Sequence, residues 1–99
     1  MEGHAVISHE VLASYAADVT LEVDGVDQLV DAGRRHRGVR VSEHDGAVTV
    51  EVHVALAWGV RAADVGARVQ GRVSEYLVRT SKLSSIVVDV VVDGVAPAG

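Results

Sequence analysis

Val48, Val50, Val52, Val54, Leu56 and Trp58 alternate with Thr49, Glu51, His53, Ala55 and Ala57. A period of two puts the first set on one face of a strand and the second on the other. Val39 and Val41 alternate in the same way with Arg40 and Ser42. Asp45-Gly46 between the two runs is a two-residue hairpin signal. That turn predicts Val41 opposite Val50, Val39 opposite Val52 and Arg40 opposite Glu51. Apolar then meets apolar, and plus meets minus, so turn and pattern agree on one register.

Two stretches carry the helical period instead. Over residues 61–80, Val65, Val69, Val73, Tyr76 and Leu77 form one apolar stripe. Arg61, Arg68, Arg72 and Arg79 run beside it, and Ala63, Ala67, Gly71, Ser74 and Val78 occupy the far side. Asp64–Arg68 and Glu75–Arg79 have favourable spacing for pairs with the acid first. Near the start, Ser8 fits a helix N-cap, and Ile7 with Leu12 fits a hydrophobic staple. Val11, Leu12, Tyr15, Ala16 and Val19 then share a face. This helix is expected to end near Thr20–Glu22, followed by a turn at Asp24-Gly25.

Ala5-Val6-Ile7 reads as a short extended lead-in. Residues 26–38 hold a short strand or a turn of helix, with Gly33 and Gly38 bracketing a surface loop. A final strand over about 85–93 sends Ile86, Val88, Val90 and Val92 to one face and Val87, Asp89 and Val91 to the other, with Gly94 and Pro97 ending the order. The predicted order is β-α-(short element)-β-β-α-β. The fold class is α+β: two layers, a small mainly antiparallel sheet with both helices on its even-numbered face. Ninety-nine residues suffice for a single domain, 1–99, with an ordered core over about 5–95.

Composition narrows the chemistry. There is no Phe and no Cys, with one Trp and two Tyr, so the core is aliphatic and a disulfide framework is excluded. No apolar run is long enough to span a membrane, and no secretory signal pattern opens the chain. A cytoplasmic location is the simplest expectation. The net charge is −5. Residues 1–31 carry acids but no Lys or Arg, whereas Arg34, Arg35, Arg37 and Arg40 cluster around His36. This basic run is a candidate anion contact. The overall acidity opposes nucleic acid at long range, and a solvated loop is the plainer reading.

No catalytic constellation emerges. The five histidines show neither helical i, i+4 spacing nor an H-x-H pattern, so no metal site is expected. No serine sits in a G-x-S-x-G elbow. Phosphate-loop patterns are absent, and no cofactor is implied. Ser42, Glu51 and His53 can be grouped on the open sheet face, which reads as flat, wet and without oxyanion donors. Two surfaces suggest association instead. Ala67, Gly71, Ser74 and Val78 allow close approach to the long helix. Val87 and Val91 lie on the outer face of the last strand, itself a candidate edge.

Five motifs, in order, carry a resemblance. They are Ile7-Ser8-His9-Glu10-Val11-Leu12, Val23-Asp24-Gly25-Val26, Trp58-Gly59, Val69-Gln70 and the run from Val88 to Val95. Together they resemble the alkaline shock protein family of Gram-positive bacteria, also called the general-stress Gls family, over about residues 3–95. Asp89 stands where the family pattern has Asn. The resemblance implies a non-enzymatic stress protein of the cell envelope. It would associate with itself and could sit at the inner face of the membrane through a small membrane-anchoring partner. A small anion- or nucleic-acid-binding domain using Arg34–Arg40 is the alternative.

Overall fold

The computed structural model describes residues 8–31, 35–81, 83 and 85–97. Its organising element is the strand Ala47–Leu56. In chain order the elements are α1 (His9–Leu21), β1 (Val26–Leu29), α2 (Arg35–Gly38), β2 (Val39–His44), β3 (Ala47–Leu56), α3 (Ala62–Ser81) and β4 (Ile86–Val95). The expected lead-in Ala5–Ile7, and with it the staple at Ile7, lies outside the described residues.

Every strand pairs with β3. On one side, β2 runs antiparallel to its first half, Val39↔Val52 to His44↔Ala47, and β1 runs antiparallel to its end, Val26↔Leu56 to Leu29↔Val54. These two strands therefore lie end to end along a single edge of β3. On the other side, β4 runs parallel to β3 over nearly its whole length, Val48↔Ile86 to Leu56↔Val95. A parallel pair needs a long crossover, and α3 supplies it. The sheet is thus mixed, antiparallel in β1–β3–β2 and parallel at β4.

The hairpin register is the one its sequence dictates: Val41↔Val50, Arg40↔Glu51 and Val39↔Val52. Asp45 (φ 53°) and Gly46 (φ 80°) both take positive φ, as the favoured two-residue turn requires. At the other end of β3 the partners on both sides carry an extra residue. Asp27 is skipped between Val26 and Gln28, and Asp93 between Val92 and Gly94. The second bulge lets β4 continue through Gly94 to Val95, beyond the expected stop at Gly94. Trp58, by contrast, lies past the end of β3 and is 67 % exposed, so it does not continue the even-numbered core row.

The two long helices, α1 and α3, cover the even-numbered face. Val48, Val50, Val52, Val54 and Leu56 of β3 and Val65, Val69, Val73 and Leu77 of α3 are buried. Tyr76 is only half-buried and meets Tyr15 edge-on, with ring centroids 5.8 Å apart. In α1 the Ser8 hydroxyl accepts from the Val11 N–H at 3.1 Å, the expected cap. Its buried face is not quite the expected one. Leu12, Ala13, Ala16, Ala17, Val19 and Thr20 face inward, while Val11 faces solvent. Small side chains let the helix settle close to its neighbours. Thr20 tolerates burial because its hydroxyl donates to Ala16 O at 2.7 Å. On β4, Val88 is buried and Val90 partly so, but Val92 is 39 % exposed. An edge strand has neighbours on one side only, which leaves its side chains half-covered.

Gly25 closes the α1–β1 turn at φ +99°, and a Cβ there would come within 2.6 Å of Val65 Cγ2. Gly38, at φ +93°, has the Val30 carbonyl where a Cβ would stand. Neither position accepts a side chain without strain.

Two measurements test this core. Val50→Asp places an unpaired charge between sheet and helices, and we expect a loss of several kcal/mol, on the order of 3 or more. A melt within a few degrees of wild type would contradict that arrangement. Gly25→Ala is expected to destabilise by about 1–3 kcal/mol through the left-handed backbone and the Val65 contact, as read by chemical denaturation.

Candidate interaction surfaces

The outer side of α3 is built by subtraction. Val65, Val69, Val73 and Leu77 point inward, so the residues half a turn away must face solvent. Ala67, Gly71 and Val78 are exposed and Ser74 is half-buried. A Cβ on Gly71 would meet nothing within 4 Å. Internal packing therefore does not require glycine there, although glycine costs a mid-helix position about 1 kcal/mol against alanine. Gly71 lies in a groove of about 730 Å³, lined by Glu22, Val23 and Asp24 after α1 and by Arg68, Arg72 and Glu75 on α3. A second hollow of about 260 Å³ continues beside it past Tyr15 and Tyr76 to Arg79.

The arginine stripe borders this groove. Neither Asp64–Arg68 nor Glu75–Arg79 closes to ion-pair distance among the described residues. Arg72 instead reaches Glu22 of the neighbouring α1 segment at 3.5 Å. Spacing alone permits the helical pairs, but exposed long side chains gain little from such contacts. The stripe is thus less self-neutralised than its sequence suggests.

The second surface is the odd-numbered sheet face with the edge of β4. Val87 is 49 % exposed and Val91 is half-buried. Asp89 is exposed, and its side chain has no hydrogen-bond partner among the described residues. Among the described residues β4 pairs with β3 alone, which makes it the edge strand there. The Gln70 side chain donates to Val88 O across 3.0 Å, tying α3 to that strand. Two of the short motifs, Val69-Gln70 and the closing strand, are thereby one physical contact.

This face is not uniformly wet. His53 is 3 % exposed and Ala55 is also buried. His53 Nε2 lies 2.5 Å from Glu51 Oε2, and Nδ1 lies 2.7 Å from Asp93 Oδ2. Glu51 therefore turns to His53 rather than to Arg40, its opposite number on β2. Ser42 is exposed and takes no part. The Glu51–His53 half of the cluster was visible as two residues on one strand face. Asp93 was not, because its approach depends on parallel pairing and a bulge. With both ring nitrogens occupied and the ring closed off, His53 offers no free nitrogen to act as a base.

The basic run is described only in part, and where it is described, Arg35–Gly38, it forms the single-turn helix α2 rather than the expected loop. Arg34 and the side chain of Arg35 lie outside the described residues. Arg37, at φ +64°, is exposed and donates to Asp18 at 3.1 Å. Arg40 is exposed on β2.

A family model described as the alkaline shock protein 23 family, with a cell envelope-related function, matches residues 1–97. The chain belongs to that family. No curated protein and no solved structure matches it. The family match spans all five motifs, including the Gln70–Val88 contact and the bulged end of β4. As in other members of the alkaline shock protein family, a cell envelope-related function is thereby assigned. No helix among the described residues is long and apolar enough to cross a membrane.

The Arg37–Asp18 pair is exposed at both ends, so it contributes under about 1 kcal/mol. Replacing Arg34, Arg35 and Arg37 together with Ser is expected to leave the melting temperature within about 2 °C of wild type. A larger drop, read by calorimetry, would show the loop to be part of the fold's support.

Proposed function

We propose that the chain is a non-enzymatic scaffold of the cell envelope, acting by self-association and by docking a partner. The observation that carries this reading is Gly71. It is a mid-helix glycine, exposed in a groove, that no neighbour among the described residues requires. Its helix-weakening cost is offset if a second molecule approaches the backbone closely at Ala67, Gly71 and Ser74. Val78 would add apolar area beside that contact, and Val87 and Val91 on the sheet offer a second apolar site. A small membrane-anchoring protein is the partner proposed for placing such an assembly at the inner face of the membrane. The envelope-related function of the family supports this placement.

Sedimentation velocity over a concentration series tests the reading. Wild type is expected to form oligomers, and Gly71→Arg to become monomeric while keeping its helical circular dichroism. Val91→Lys is the matching change on β4. A wild type that stays monomeric at high concentration removes self-association. An oligomer that survives both changes moves the interface away from α3 and β4.

A further inference from the structure

A neutral imidazole has one N–H donor and one bare nitrogen, and an ionised carboxylate only accepts. Both ring nitrogens of His53 nevertheless face carboxylate oxygens, at 2.5 Å to Glu51 and 2.7 Å to Asp93. A bare nitrogen at either distance would set lone pair against lone pair, at a ring almost closed to water. Two hydrogen bonds from the ring need two ring protons. We infer that His53 stands as an imidazolium between two carboxylates, and that this bridge staples the bulged end of β4 to β3.

The surroundings give the bridge its importance. Asp93 is the residue that β4 skips, so no backbone register position holds it against β3. Beyond it the chain must still reach Ala55 with Gly94, Leu56 with Val95, and Leu56 O with the Ala96 N–H at 2.7 Å. Asp89 stands opposite Glu51 on the same strand pair. Glu51, Asp89 and Asp93 thus share one patch of sheet, and β3 and β4 contain no Lys or Arg. Arg40 stands opposite Glu51 on the other side but forms no ion pair with it among the described residues. Asp27, at the β1 bulge, adds a further acid near the same end of β3. His53 is then the one residue of the two strands that can supply positive charge to this patch. A doubly donated, buried ring makes two charge-assisted bonds, the stronger class. One bond runs along β3 and the other crosses to β4. The bridge therefore fixes where the bulge falls, and with it the register of the last two strand residues, Gly94 and Val95.

Two readouts on the full chain decide. Ring nitrogen NMR of wild type at neutral pH is expected to show both His53 nitrogens carrying protons, without the signal of a bare nitrogen. In Asp93→Asn, an exposed change that keeps side-chain size, the bridge loses a charged acceptor. Amide exchange at Ala96, whose N–H donates to Leu56 O, is then expected to quicken by about tenfold or more. Amides of the β2–β3 hairpin should stay protected, showing that the fold persists. His53→Gln should reproduce the fraying. A bare ring nitrogen in wild type overturns the inference, and so does unchanged protection at Ala96 in both variants.

Discussion

The structure depends on one strand having something to bond on both sides. β3 receives β1 and β2 along one edge and β4 along the other, and among the described residues no strand pairs elsewhere. Its backbone groups are therefore shielded from solvent by neighbours, and its even-numbered side chains by helices. A strand in that position must be apolar on its inner face without interruption. Val48, Val50, Val52, Val54 and Leu56 meet that demand with β-branched or aliphatic groups suited to a pleated surface. The absence of Phe is consistent with a thin layer in which alanines of α1 and valines of α3 approach the sheet closely.

That arrangement divides the molecule into an inert side and an open side. The helices close the even-numbered face. The odd-numbered face keeps Val87 and Asp89 accessible while enclosing His53. The outer surface of α3, with its bare glycine and bordering arginines, lies on the opposite side of the sheet. The two candidate interaction surfaces therefore point away from each other. A contact that joined one to the other would be heterologous rather than two-fold, and such contacts do not close on themselves unless the rotation allows.

Much of this was legible in the residues. The hairpin register followed from Asp45-Gly46 and the alternation around it, because turn chemistry and face polarity reinforced each other. The Ser8 cap and the buried row of α3 followed from strictly local rules. What escaped were effects that need two distant segments at once. The inward face of α1 was read from its large apolar residues, yet Ala13, Ala17 and Thr20 are what the neighbouring elements accept. Asp93 looked like the end of a strand, since nothing nearby in sequence reports a bulge. Gln70 stood only as half of the Val69-Gln70 motif, with no contact assigned to it, and its bond to Val88 O needs the folded strand beside it. The Arg68 and Arg79 pairs were inferred from spacing that permits contact but does not compel it.

The parallel pairing of β4 also governs how the chain finds this arrangement. The β2–β3 hairpin closes through two residues, so it can form early at small entropic cost. The β3–β4 pair must wait for all of α3 to be made and folded back. Until then the far edge of β3, the most deeply buried strand of the sheet, stands open along its length. A nascent or freshly diluted chain thus passes through a stage with an uncovered valine ladder. α3 enters that stage ahead of β4 in sequence and brings Gln70, which bonds the incoming strand at Val88. The helix that delivers the last strand thereby also ties it down once it has filled the slot on β3.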